Sequence, residues 1–460
     1  MQPDNNKHVV LLSNSVIETD PRVSKFARTL CDAGWSVTTV GLPPLGHAGG
    51  TLPWSALHID LAQGDTKPPA KPVALAKLLS GMFLLMAQGV KPFSESASNI
   101  LSKVAIRTQR RQNVLKRALY YWWLGFGLRV LPKGYQSIFW KSNTRYNLFL
   151  ETAMVDVGAV DLWIANDWDM LPIALALKAE KGGKVLYDSH EYAVEQFIGD
   201  KQWRQFMQPL VKAVENSCIH QVDAISSVST GLCKALKKRY ALEKTPHCIR
   251  NVPPYQKYAF RACKGPRIVL YQGLIGPGRG LKKIIDSTRF WHKGLHLVIR
   301  GPEGRAGYVS QLKQLIYETG SEIKISIEAP VPFAKMVAKA HEADIGLLAL
   351  PCQSVHNRHA LPNKIFEYMM AGLALCVTSN EDMANIVAHY RNGTLIEEFT
   401  PASIADAVNS MDAVKIDACK HASLQAAKAL NWEEEQAAFL ALCASAYPLN
   451  GKTLISGQSS

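Results

Sequence analysis

Acidic residues are almost missing from one stretch of this 460-residue chain. Between residues 66 and 150 the single acid is Glu95, set against fourteen lysines and arginines from Lys67 to Arg145. That surplus supplies nearly all of the formal net charge of +14, so the remainder of the chain is close to neutral. Basic character confined to one stretch is a local surface feature and not a general polycation. The chain also lacks a Cys-x-x-Cys pair and any Cys/His cluster of metal-ligand spacing, which excludes a zinc finger or ribbon; the nine scattered cysteines read as reduced thiols of a cytoplasmic protein. Long apolar runs are missing too. The two in the basic stretch, 78–87 and 118–128, are each about half of the ~20 residues a transmembrane helix requires. At the start, the apolar run from His8 is too short for a signal-peptide core with its cleavage site and reads as a first buried strand.

What is present is length and rhythm. With 47% apolar and 20% charged residues, 460 residues exceed what one core supports, so two domains are expected. Short β-branched apolar runs alternate with amphipathic helical stretches, the pattern of α/β domains with a parallel sheet covered on both faces. The first unit is strand 9–12, a loop with Asp20-Pro21, helix 23–33, Gly34 as stop, and strand 36–40. The rhythm returns at strand 162–165, helix 172–180, strand 184–187, strand 224–227 and helix 231–240. Pro253-Pro254 blocks helix and central strand alike and marks a hinge at 248–255. Beyond it a second series runs through strands 268–271, 295–300, 324–327, 345–348 and 374–378 with helices 281–289, 308–319, 333–340 and 364–370. The reading is therefore two doubly wound, Rossmann-like domains facing a cleft: 1–250 with a basic helical insert at 66–150, then 251–430, then a C-terminal helix and tail at 431–460 that returns to the first domain.

In the insert, Arg117-Ala-Leu-Tyr-Tyr-Trp-Trp-Leu-Gly-Phe-Gly-Leu-Arg129 has the composition of an interfacial helix. Periodicity alone favours a helical pair packed on its domain, because aromatic stripes are usually core, while the near absence of acids shifts the reading toward contact with anionic lipid.

Parallel sheets bind ligands at the carboxyl ends of their strands, where helix N-termini present free N–H groups to phosphate. The turn Tyr271-Gln-Gly-Leu-Ile-Gly-Pro-Gly-Arg-Gly280 joins a strand to a helix with four glycines and Arg279, and suits a diphosphate. Asp167-Trp-Asp169 superficially matches a metal-chelating Asp-x-Asp, but its place at a strand end before Met-Leu-Pro172 reads as a helix entry, and no metal is expected.

Five segments together resemble glycosyltransferase family 4. They are Tyr187-Asp-Ser-His-Glu191, Tyr271-Gln-Gly273, Leu297-Val-Ile-Arg-Gly301, Ala360-Leu-Pro-Asn-Lys-Ile-Phe-Glu-Tyr-Met-Met-Ala-Gly372 and Leu430-Asn-Trp-Glu433, with Asp20-Pro-Arg-Val23 adding to them; the basic insert lies outside the match. The resemblance implies a GT-B fold, a nucleotide diphosphate sugar as donor, and transfer with retention of anomeric configuration. It implies that Glu367 receives ribose hydroxyls and that His190 faces the donor sugar and phosphate, with Glu191 contacting the acceptor or capping a helix. The donor-binding set is then Gly273, Gly278, Gly301, Pro330, His359, Asn363 and Glu367, and the catalytic set His190, Arg279 and Lys364. Two positions depart from the family pattern. The first of its two glutamates, seven residues apart, is His359 here, and the arginine that often follows the first glycine is Leu274. Lys364 at the start of its helix is placed to supply the missing charge.

The expected reaction is sugar transfer to a lipid-linked or cell-surface glycan at the inner membrane face, by a peripheral protein with no cofactor and no nucleic-acid partner. Two other classes stay open: a catalytically degenerate GT-B scaffold, suggested by His359 and Leu274, and a nucleic-acid binder, suggested by basic and aromatic residues interleaved between Lys103 and Arg145.

Overall fold

The computed structural model describes residues 7–44, 51–60 and 144–446. The expected apolar runs at 78–87 and 118–128, and the basic residues from Lys67 to Lys141, lie outside the described residues. The described strands form two parallel sheets, of order β3-β2-β1-β4-β5-β6-β7 and β10-β9-β8-β11-β12-β13. The architecture is α/β with two Rossmann-like domains, as the alternating pattern predicts.

Chain contacts divide the molecule into two compact units, the described parts of Met1–Val185 with Phe197–Val222, and of Leu186–Gln196 with Asp223–Ser460. In the first, strand β1 (His8–Ser13) pairs with β2 (Ser36–Gly41) and β4 (Leu162–Asn166), and β2 with the short β3 (Ser55–His58). Helix α1 (Val23–Asp32) buries Val23, Phe26, Ala27 and Leu30, one face at helical spacing. Asp20 Oδ1 accepts the Arg22 and Val23 backbone N–H groups at 3.0 and 3.1 Å, which starts this helix. Helices α2 (Thr144–Asp156), α3 (Leu171–Lys181) and α4 (Gln208–Cys218) complete this unit. Asp169 does not cap α3: the residue before that helix is Met170, and Asp169 instead accepts a hydrogen bond from Asn14 Nδ2 at 2.9 Å.

The second unit takes the end of β5 (Lys184–Ser189), β6 (Ala224–Ser227), β7 (His247–Cys248) and α5 (Thr230–Tyr240), then the whole second sheet. Strands β8 (Arg267–Gln272), β9 (Leu295–Arg300) and β10 (Lys324–Glu328) run outward one way, and β11 (Ile345–Leu348), β12 (Ala374–Thr378) and β13 (Gly393–Ile396) the other. The order reverses between β8 and β11, which makes that point the ligand crevice of a doubly wound sheet. Helices α6 (Leu281–Ser287), α7 (Tyr308–Thr319), α8 (Met336–Ala340), α10 (Asn363–Met370), α11 (Glu381–Tyr390), α12 (Pro401–Asn409) and α13 (Ala413–Ala426) accompany it, while the short α9 (Val355–Arg358) meets α5 and α14 (Trp432–Ala446) packs against β6. Two helices are shorter than their periodicity suggests. After Ser287 the chain tightens into a 3-10 turn, where the Ser287 and Thr288 hydroxyls donate back to the Ile284 and Ile285 carbonyls. Residues 333–335 are likewise a 3-10 turn following Pro332, with Phe333 exposed. Among the described residues no helix is long and apolar enough to cross a membrane.

Candidate donor site at the switch point of the second sheet

Strand β8 ends in Gln272, and the next residue has φ +138°, a conformation that only glycine adopts without strain. A Cβ on Gly273 would lie 2.0 Å from Lys364 Cε, so a side chain there would displace the lysine. The loop after β8 is held against the loop after β9. Gly273 N–H donates to Arg300 O at 2.8 Å, Ile275 N–H to Pro302 O at 2.8 Å, and Gly304 N–H to Ile275 O at 2.9 Å. At Gly301 (φ +153°) a Cβ would sit 1.9 Å from Gly273 O, which leaves no room for any side chain. Gly280 (φ +76°) closes the turn, its Cβ position 2.0 Å from Ala349 O beyond β11. The glycines therefore bring the ends of β8, β9 and β11 together and open a notch that Lys364 crosses.

Helix α10 presents Lys364, Glu367 and Tyr368 on one side, at i, i+3 and i+4. Tyr368, fully buried beneath Gly346, accepts the Gln272 backbone N–H on its hydroxyl at 2.8 Å and ties the helix to the end of β8. Lys364 is half-buried, with Nζ 5.7 Å from the centroid of the Tyr271 ring. Among the described residues it has no hydrogen-bonding acceptor. Burial, aided by the positive charge of Arg279 and opposed by Glu367, lowers its pKa to about 8. Two cations set against each other without a bonded carboxylate form a site for an anion. Burial raises the neighbouring Tyr271 to about 12, and its hydroxyl donates to Leu274 O at 2.9 Å.

The short helix α9 borders the same place. Ser354 caps it through Asn357 N–H at 3.0 Å, and Glu195 Oε2 accepts the Val355 and His356 N–H groups at 2.6 and 3.4 Å. The His356 imidazole is driven down to a pKa of about 4 by burial and by Arg279, so it is neutral although Glu191 Oε2 lies 3.3 Å from its Nε2. Arg279 thus acts on both Lys364 and His356. Its own side chain is exposed.

Glu191 follows His190, whose Nε2 is 2.7 Å from the fully buried Asp188; Ser226 Oγ donates to the other Asp188 oxygen at 2.6 Å. Asp188 fixes the ring of His190 as an orienting carboxylate does. The structure brings Gly273 and Gly301 together against Lys364, on the helix that also carries Glu367, with the charge of Arg279 acting on Lys364 and on His356; His356 in turn meets Glu191, beside His190. Asn363 is the first residue of α10, half-buried. Gly278 lies in the exposed part of the turn, and Pro330 is exposed beyond the end of β10. His359 is drawn to α5: its Nδ1 is 2.8 Å from Asp382 Oδ2, Asp382 Oδ1 accepts from Thr230 Oγ1 and Gly231 N–H, and Ser229 Oγ donates to His359 O at 2.7 Å.

Sequence reasoning passed over His356, Asp188, Glu195 and Asp382. Only Asp188 carried a signal, being two residues before His190 and so on the same side of an extended strand.

Residues 257–422 match the family model described as glycosyl transferases group 1, so the chain carries such a domain there. No curated protein sequence matches the chain. Among solved structures it is similar to the sucrose-phosphate synthase of Thermosynechococcus elongatus, at 12% identity over 95% of this chain and 98% of that one (TM-score 0.64). It is also similar to TarM of S. aureus, solved with UDP, at 9% identity over 95% and 99% (TM-score 0.62). Anabaena HepE, in a structure with UDP and glucose, is 12% identical over 95% and 100% (TM-score 0.59). Each of these likenesses covers 95% of this chain, and together they establish the GT-B fold.

Proposed function

We propose that this chain, with a group 1 glycosyltransferase domain at 257–422, transfers a sugar from a nucleotide diphosphate donor to a hydroxyl acceptor with retention of anomeric configuration, as a member of glycosyltransferase family 4. The observation that carries the reading is Lys364: a half-buried cation of lowered pKa, beside Arg279 and over the Gly273 notch, with no bonded acid of its own. A diphosphate satisfies both cations at once. TarM and HepE, which share the fold, were solved with UDP. Glu367 takes the ribose hydroxyls, with Gly301, Asn363 and the exposed Gly278 and Pro330 around the donor and His359 near its sugar.

Arg279 and Lys364 stabilise the charge that grows on the diphosphate as the bond from the anomeric carbon to the phosphate oxygen breaks, an electrostatic effect of the oxyanion-hole kind. The acceptor oxygen bonds to the anomeric carbon on the face the phosphate leaves, and its proton passes to the departing phosphate oxygen. His190, oriented by Asp188, contacts the sugar and phosphate. The cations take the place that a divalent metal has in other transferases.

The acceptor is a lipid-linked or cell-surface glycan met at the cytoplasmic face of the membrane, where the protein is peripheral. This rests on the fourteen basic residues between 66 and 150. At roughly 1 kcal/mol per basic residue near an anionic surface, a few of them suffice to hold the protein there.

A thermal-shift panel of UDP-, GDP- and ADP-sugars, run with and without EDTA, tests the donor site. One donor is expected to stabilise the protein by about 2.7 kcal/mol at a hundredfold excess over its Kd, regardless of EDTA, and to be consumed when acceptor is added. No shift with any donor and no transfer would leave the chain a GT-B scaffold. Replacement of Arg107, Arg110, Arg111, Lys116 and Arg117 by glutamine should abolish binding to anionic liposomes and leave donor binding untouched; retained binding at low salt would remove the membrane from the proposal.

A further inference from the structure

The irregular segment before β8 leaves aromatic rings in the open. Tyr255 and Phe260 are 39% and 37% exposed, among the large apolar side chains that the fold does not bury. Together with one side of α13 they line a pocket of about 240 Å³. From α13 come His421, Leu424 and Gln425, at i, i+3 and i+4, with Lys428 just past the helix end. The pocket meets α10 at the end away from the donor crevice. There the Gln256 N–H donates to Met370 Sδ at 3.1 Å, six residues and about 9 Å along the helix axis from Lys364.

The rings are held in place by the fold. Phe260 is stacked on His421, with centroids 3.7 Å apart and planes within 14°. Tyr258, also in the lining, leans on His341 at 4.8 Å, and its hydroxyl donates to Gln256 Oε1 at 2.9 Å. The Tyr255 N–H is fixed by Glu433 Oε2 at 2.8 Å. Rings already ordered lose little further freedom when a ligand binds. The lining also sets the charge of that ligand. Among the described residues no acid lines the pocket, whereas Lys257 and Lys428 do, neither with a bonded carboxylate, so the wall complements an anion. Flat rings offer an apolar surface, and the Gln425 amide offers a donor and an acceptor side by side. A sugar ring matches this set, because its C–H face packs on an aromatic ring while its hydroxyls both donate and accept. Size narrows the choice. Sites for drug-sized ligands run to about 300–1,000 Å³, so about 240 Å³ suits one substituted ring and not a base, ribose and phosphate together.

We propose that this pocket is a glycan-binding site apart from the donor crevice, holding one sugar ring that carries a carboxylate or a phosphate. The class of ligand rests on the nucleotide-sugar reading above, which makes this a chain that works on glycans.

The test titrates the full chain with a glucuronate-containing trisaccharide, its carboxyl-reduced neutral counterpart, free glucuronate, glucose 6-phosphate and uridine monophosphate. The trisaccharide should bind about tenfold more tightly than the neutral form, and the difference should fade as salt is raised to about 1 M. Phe260→Ala should weaken both forms about tenfold. Lys257→Gln with Lys428→Gln should weaken the acidic form about tenfold and leave the neutral one unchanged. All these variants should keep the wild-type melting temperature and affinity for UDP, because the replaced side chains lie at the surface outside the donor crevice. Tighter binding of the trisaccharide than of free glucuronate and glucose 6-phosphate would assign the pocket to a residue within a chain, and the reverse order to a free sugar anion. No binding of any anionic sugar, equal binding of acidic and neutral forms, no loss in Phe260→Ala, displacement by UDP, or a preference for uridine monophosphate would each overturn the proposal while leaving the donor site intact. Saccharide binding by a chain that takes no sugar nucleotide would overturn the donor site and leave this one standing.

Discussion

Two lysines of the second unit lie near the same sheet and have opposite surroundings. Lys420, in α13, is 2% exposed, and its Nζ donates to Asp344 at 3.0 Å; Asp344 also receives Arg261 at 2.8 Å and the Ile268 N–H at 2.9 Å. Lys364, in α10, has an arginine for its neighbour and no bonded carboxylate among the described residues. The first arrangement satisfies every charge within the fold and fastens α13 to the start of β8. The second leaves positive charge in want of an anion. Pairing therefore separates a lysine that holds the fold from one left free to meet a ligand more clearly than depth does, since Lys420 is the more buried of the two.

The comparison predicts opposite outcomes for the same substitution. Lys420→Met should lower the unfolding free energy by about 3–5 kcal/mol in denaturant titration, because Asp344 keeps its buried charge with one partner fewer. A loss under 1 kcal/mol would mean that Arg261 alone satisfies Asp344. Lys364→Met should leave the fold as stable or more so, because it removes a half-buried cation. It should cut turnover about 10²–10³-fold, the size of effect seen when one donor to a developing oxyanion is lost. Simultaneous loss of stability would place Lys364 with Lys420.

Glu367→Gln sharpens the comparison, since Glu367 is the acid that raises the Lys364 pKa. The variant should lose about 1.5–3 kcal/mol of donor affinity and titrate Lys364 at lower pH. Unchanged affinity would remove Glu367 from the site. The smallest effect is on pH. Lys364 loses its proton as pH rises through about 8, so affinity for UDP should fall about tenfold between pH 7 and 9, and the fall should vanish in Lys364→Met. The stability effect of the same group has the other sign. From about 8 up to its ordinary value of 10.5 the unfolded chain binds more protons than the folded one, so stability from Lys364 rises with pH across that window. Affinity that stays flat to pH 9.5 would break the link between Lys364 and the diphosphate.

The longer strands of both sheets were legible to within about two residues because buried parallel strands are nearly continuous apolar runs, as in Arg267–Gln272 and Ala374–Thr378. Gly273, Gly301, Lys364 and Glu367 were legible as motif. Short elements such as β3, β13 and the four-residue α9 were not, because too few residues repeat to show a period. The use of Ser287 and Thr288 to end α6 was hidden for a different reason: the same hydroxyls are tolerated within a helix unless they turn back on the carbonyls.

By itself the sequence determined the two α/β domains, the confinement of its positive charge to residues 66–150, and the glycine-rich strand-to-helix turn at 271–280, since these follow from periodicity, from counting, and from the glycines themselves. Only the tertiary structure decided which charges find partners. It joined Lys420 to Asp344 across 76 residues and His359 to Asp382 across 23, and it left Lys364 without a bonded acid among the described residues, under the charge of Arg279. The physical reason is that pairing depends on distances of a few ångströms between residues remote in the chain, and residue type alone does not encode them.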